Sequence, residues 1–301
     1  MTADSNRRHA LLVNPSSGQG RSGKLLPEVE AELDKRGLAF RVVPTRSLEH
    51  GAEEALAAAA AGEVPVVMSG DGLIGAIGGA LAGSDSPLGV IPGGRGNDFA
   101  RTVGIPTEPS EAVAVLASGE ERLIDVGEVN GKRFLCIASC GFDSEANRRA
   151  NETRVIRGNL VYAYAALRTL ATWRPASFTV TVDGEPHEYT GFTAAVANGT
   201  AYGGGMLMAP NAEIDDGLFD VVISASVSKR RFLANLPKVF KGEHVEEDEV
   251  TVLRGAAVEV TADREFEVYA DGEPLTTLPA KLRLLPKSLR VIAPPPSFTA
   301  G

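Results

Sequence analysis

Three short stretches set small and acidic residues where phosphate chemistry could take place. Asn14-Pro15-Ser16-Ser17-Gly18-Gln19-Gly20 is followed by Arg21 and Lys24. Ser69-Gly70-Asp71-Gly72 follows the apolar run Val66-Val67-Met68, and Pro92-Gly93-Gly94-Arg95-Gly96-Asn97-Asp98 follows Leu88–Ile91. Glycine permits backbone angles that aim several N–H groups into one concavity and lets a phosphate come close. A helix starting just after such a turn adds its own unpaired N–H groups and a partial positive charge. Taken singly, each stretch is an ordinary tight turn; three on one sheet edge make a cradle for a triphosphate. Asp is common in turns for its own backbone hydrogen bonding. Beside a triphosphate, however, a carboxylate repels unless a cation lies between, and carboxylates with retained waters are how Mg2+ is held. Asp71 and Asp98 therefore point to metal–nucleotide binding. The pattern is neither GxxxxGK[ST] nor GxGxxG. Asp271-Gly272-Glu273, after the run Phe266–Ala270, reads alone as a plain β-turn.

The elements that must position these residues change character along the chain. Up to about residue 125, strand-like runs (Ala10–Val13, Phe40–Val43, Val64–Met68, Leu88–Ile91) alternate with helical patterns (Leu25–Arg36, Leu48–Ala61, Leu73–Leu81), and Gly37 stands where a helix C′ residue belongs. Alternation of this kind predicts parallel pairing in an α/β domain, with the strand-to-helix turns gathered on one edge. Beyond that point strands dominate: Phe134–Ala138, Phe178–Val182, Thr193–Ala197, Phe219–Ile223, Ala257–Thr261 and Phe266–Ala270. Asp183-Gly184 predicts a hairpin turn, and helices are expected over Leu160–Trp173 and Arg231–Phe240. The expected architecture is an α/β domain over residues 1–125 and a mostly antiparallel β-sandwich over 126–301, with the extreme C-terminus free to pack back on the first domain.

The motifs resemble the diacylglycerol kinase catalytic-domain family. Ser69-Gly70-Asp71-Gly72 stands where that family carries Gly-Gly-Asp-Gly-Thr, and the Asn14–Gly18 turn and Gly96-Asn97-Asp98-Phe99-Ala100-Arg101 are similar to it as well. Asn198-Gly199-Thr200-Ala201-Tyr202-Gly203-Gly204-Gly205, the segment from Ala209-Pro210 to Asp215-Asp216-Gly217-Leu218-Phe219-Asp220, and Asp271-Gly272-Glu273 extend the likeness over nearly the whole chain, in order. The resemblance points to bacterial soluble lipid kinases, relatives of sphingosine and ceramide kinases and more distantly of NAD kinases. It implies an α/β nucleotide domain and a β-sandwich domain with the active site in the cleft between them. It implies ATP contacts at Asn14, Pro15, Ser16, Ser17, Gly18, Thr45, Gly70, Asp71, Gly72, Arg95, Asn97 and Glu273. Asp71, Asp98 and Glu273 would organise a catalytic Mg2+ through water, and Asp271 would be the general base. A structural Mg2+ would be held by the Asp216 carboxylate and by backbone carbonyls near Glu213 and Leu218. Some positions depart from the family: Ser69 and Leu73 lean toward the sphingosine kinases, Gly75 and Ala76 replace the usual Asn and Glu, and Arg95 replaces a threonine. Arg95 is expected to set a fixed positive charge at the triphosphate. Sphingoid-base phosphorylation and a catalytically weakened nucleotide- or lipid-binding regulator are the alternative functions.

Composition narrows the partners. A net charge of −9 argues against nucleic acid. No uncharged apolar run is long enough to span a bilayer, and the polar start MTADSNRRHA is unlike a secretory signal. The two cysteines, Cys136 and Cys140, read as buried small apolar residues, and the histidines form no metal pattern. A cytoplasmic protein in peripheral contact with a membrane is expected, and homodimerisation is compatible with this reading. The basic amphipathic stretch Lys229–Lys241, interrupted by Pro237, and the cluster Arg148, Arg149, Arg154 and Arg157 are the candidate lipid-facing surfaces.

Overall fold

A computed structural model describes residues 7–153 and 160–295. Arg154 and Arg157 of the second basic cluster lie outside the described residues. The first part of the chain runs β1 (His9–Val13), α1 (Ser17–Lys35), β2 (Phe40–Pro44), α2 (Leu48–Ala60), β3 (Val64–Ser69), α3 (Asp71–Leu81), β4 (Pro87–Pro92), α4 (Asp98–Val103) and α5 (Pro109–Ser118). The strands pair in parallel in the order β4-β3-β1-β2. Every residue of β1, β3 and β4 is buried, which is why these strands read as unbroken apolar runs: helices cover both faces of such a sheet. The three glycine-rich stretches fall at the C-terminal ends of β1, β3 and β4. Helix α1 starts earlier than its apolar pattern because Gly18, Gln19 and Gly20 make a left-handed turn (φ 60, 63 and 84°) at its head before regular helix begins.

The rest of the chain runs β5 (Glu120–Val129), β6 (Lys132–Phe134), β7 (Ile137–Gly141), α6 (Phe142–Glu152), α7 (Leu160–Thr172), β8 (Ala176–Val182), β9 (Glu185–Ala197), β10 (Phe219–Ala225), α8 (Lys229–Val239), β11 (Val250–Gly255), β12 (Ala257–Ala262), β13 (Glu267–Ala270), β14 (Glu273–Thr277) and β15 (Ala280–Ala293). The pairing is mostly antiparallel, as the sequence pattern led us to expect. The β8–β9 hairpin closes at Asp183-Gly184, both with positive φ (48 and 91°), with Val182 opposite Glu185. A second core gathers here, in which Phe142, Trp173, Phe192, Phe232 and Phe266 stack edge and face.

Two expectations change. The single strand expected over Phe134–Ala138 is two strands, because the N–H groups of Leu135 and Cys136 leave the ladder to bind the Asp271 carboxylate. Residue 125 lies inside β5, which pairs along its length with β15. β15 also pairs with β12 and, in parallel at Arg290 and Val291, with β4, so among the described residues the strands of both halves form one continuous sheet.

Candidate active site

The three glycine turns touch one another. A Cβ on Gly18 would stand 2.6 Å from the Gly93 carbonyl oxygen, and one on Gly94 would stand 2.4 Å from the Gly70 Cα, so side chains are excluded at the contacts. Side chains tie the turns together. The Gly70 N–H donates to Ser17 Oγ (3.0 Å), the Ser22 hydroxyl donates to the Gly93 carbonyl (3.2 Å), and the Ser16 N–H donates to Asn14 Oδ1 (3.1 Å). Asn97, itself left-handed at φ 54°, accepts the Gly94 N–H on Oδ1 (2.9 Å). Its side chain thus shapes the loop. Thr45 is nearly buried at the end of β2 and gives its hydroxyl to the Val13 carbonyl (3.2 Å). Arg95 is exposed at the rim of the turns.

Four acids from both halves converge beside these turns. Asp71 opens α3 and accepts the Phe99 N–H on Oδ1 (3.0 Å). Asp98 is clamped by the N–H groups of Gly204 (2.8 Å) and Gly205 (2.7 Å). A Cβ on Gly96 would stand 2.9 Å from Asp98 Oδ2 and 3.0 Å from Asp71 Oδ2, so the two carboxylates close on the same glycine. From the other half, Glu273 and Asp271 lean onto α3: a Cβ on Gly72 would meet Glu273 Oε1 at 2.8 Å, and one on Gly75 would meet Asp271 Oδ2 at 2.8 Å. Asp271 is held left-handed (φ 51°) and accepts the N–H groups of Leu135 (2.7 Å) and Cys136 (2.9 Å). The departure at Gly75 therefore makes room for Asp271.

This convergence shifts the acids. Desolvation, then the nearby Asp98 charge, pushes Asp71 up to about 6, although the Phe99 N–H pulls the other way. Desolvation lifts Asp271 to about 6 against its three backbone hydrogen bonds, and it also raises Asp98 and Glu273. Arg101 opposes the rise at Asp98, and backbone N–H groups oppose it at Asp71 and Asp271. Among the described residues no three acids, histidines or cysteines are close enough to chelate a bare ion. Carboxylates grouped in this way beside glycine turns have the chemistry that would suit a hydrated divalent cation.

The turn expected to hold a structural Mg2+ does not fit that ion. One Asp216 oxygen accepts the Leu218 N–H (3.0 Å) and the other is paired with Arg254. The residue that fixes this turn escaped the sequence reading. Asp125, fully buried, accepts the N–H groups of Gly217 (2.7 Å) and Lys287 (2.6 Å). Asn198 Nδ2 bridges the carbonyls of Asp125 (3.0 Å) and Leu135 (2.7 Å), and Leu135 in turn donates to Asp271. Gly204 and Gly205, the clamp on Asp98, were also missed as site residues. Their signal was three successive glycines, all with positive φ.

Comparison with known proteins identifies both halves of the chain. Residues 8–129 match the diacylglycerol kinase catalytic domain, and residues 136–293 match the YegS C-terminal NAD kinase beta sandwich-like domain. The chain is 39% identical to a diacylglycerol kinase of Mycobacterium tuberculosis, over 98% of this chain and 99% of that one. It is 28% identical to a diacylglycerol kinase of Bacillus subtilis, over 96% and 97%. A crystal structure of a diacylglycerol kinase from Bacillus anthracis superposes with a TM-score of 0.75 at 23% identity, covering 96% of this chain and 97% of that one, which supports the fold. With a nucleotide-type α/β half, a sandwich half of the matching kind and acids from both at one glycine cradle, the chain belongs to the diacylglycerol kinase catalytic-domain family and is a lipid kinase, a phosphotransferase.

Proposed function

We propose that the protein transfers the γ-phosphoryl group of ATP, with Mg2+, to a hydroxyl of diacylglycerol or a related lipid alcohol at a membrane surface. The observation that carries this reading is the meeting of Asp271, from the sandwich half, with Asp71 at the head of α3, beside the three glycine turns. N–H groups of the turns that are not engaged with one another, and those at the start of α3, receive the triphosphate. Asp71, Asp98 and Glu273 are the residues that would hold Mg2+, which when bound neutralises charge on the phosphates. Asp271, raised to about 6 and fixed by two N–H groups, orients the acceptor hydroxyl and takes its proton. Arg95 supplies positive charge at the rim.

The departures at Ser69 and Leu73 do not favour a sphingoid base, because both side chains are buried. The weakened-regulator alternative loses its support at Gly75, where the missing side chain accommodates the base. The test is a mixed-lipid vesicle panel with labelled ATP and Mg2+, read by which lipid gains phosphate. Labelled phosphatidate from the wild type, with a loss of about 100-fold or more in Asp271→Asn, is the expected result. Label on sphingoid bases alone, or no labelled lipid at all, overturns the proposal.

A further inference from the structure

The turn from Glu213 to Asp220 carries a cation of its own. Antiparallel pairing of β10 with β11 sets Arg254 directly opposite Asp220, so the position of the guanidinium follows from sheet register and not only from a surface rotamer. Arg254 Nη2 pairs with Asp216, and Nε lies 3.5 Å from Asp220 Oδ2. The Asp220 side chain is only 5% exposed, and its Oδ2 accepts no hydrogen bond, so the guanidinium is what compensates its charge. The second Asp216 oxygen accepts the Leu218 N–H. A divalent ion on Asp216 would share the carboxylate with a like-charged neighbour.

We propose that Arg254 is the resident cation of this turn, standing in for a bound divalent metal, so that the sandwich half of this protein closes around Asp125 without a second Mg2+. The turn needs some cation because the Asp220 carboxylate is nearly buried and two further acids, Glu213 and Asp216, stand in the same turn. An arginine built into the neighbouring strand supplies that charge at any Mg2+ concentration.

The test is Mn2+ binding to the full chain by equilibrium dialysis without nucleotide. It compares the wild type, Asp216→Asn, Arg254→Met and the Arg254→Met/Asp216→Asn double variant. Equal Mn2+ occupancy in the wild type and Asp216→Asn is expected, as is one additional Mn2+ in Arg254→Met that the double variant loses. A wild-type site that Asp216→Asn removes overturns the proposal, and so does an Arg254→Met protein that gains no site. If Arg254→Met does not fold, the comparison of wild type with Asp216→Asn still decides it. Because the readout is metal occupancy and not phosphate transfer, the result is independent of the acceptor lipid.

Discussion

Asp71 and Asp271 hold their protons to about 6 because surrounding protein replaces the water that would stabilise their charge, and Asp98 adds repulsion at Asp71. An acid whose pKa is higher folded than unfolded binds more protons in the native state at intermediate pH. Stability of the ligand-free protein should therefore fall as pH rises from about 4 to about 6, and the penalty is full above that. Thermal unfolding across this range should show the fall, and Asp71→Asn should flatten it while raising the midpoint at pH 8. A variant that unfolds earlier than wild type at pH 8 would count against this account of Asp71. The four acids were legible in the sequence because each sits within two residues of a glycine, a local signal. What holds them was not legible. The amides of Gly204 and Gly205 reach Asp98 from more than 100 positions away, Leu135 and Cys136 reach Asp271 from about as far, and no local pattern announces such pairs.

At the scale of the element, α3 does more than cap a strand. Its first turns present Asp71, Gly72 and Gly75 on one side, and the two glycines receive Glu273 and Asp271 from the other half of the molecule. Gly75→Ala sets a methyl against a carboxylate that two N–H groups hold in place. We expect it to lower kcat by about 10-fold or more, with the KM for ATP changed far less, because the nucleotide turns are untouched. Steady-state kinetics at saturating lipid checks this, and an unchanged kcat would show that Asp271 moves freely. The parallel strands were readable because burial on both faces leaves continuous apolar runs. β15 was not, because Pro286 and Lys287 (φ 47°) interrupt its pattern at the bulge between Leu285 and Leu289.

At the scale of the whole molecule, the lipid must be met on a surface. No helix among the described residues is long and apolar enough to cross a membrane. The charge expected along α8 is largely spent at home: Arg231 pairs with Glu249 (2.7 Å), Lys238 with Glu247, and Lys229 Nζ donates to the Ala171 carbonyl on α7 (2.8 Å). What remains is apolar, with Leu233 and Phe240 at α8 and Tyr164 and Leu167 on α7 exposed, while Phe232 anchors the helix in the aromatic core. We propose these tips as the membrane contact. The double variant Leu233→Glu/Phe240→Glu should lose vesicle binding in sedimentation by about 10-fold or more while phosphorylating detergent-dispersed lipid normally. Charge reversal at Arg231 alone should matter less. Undiminished sedimentation of the double variant would place the contact elsewhere.

The main-chain ladder of β15 is shared by both halves, running from β12 through β5 to β4. Any breathing of the cleft must keep those rungs intact. A motion that kept them would bend the strand at the bulge between Leu285 and Leu289, and that same bulge presents the Lys287 N–H to Asp125. That bulge therefore bears on a buried acid whose carbonyl shares the Asn198 amide with Leu135, the residue that donates its N–H to Asp271.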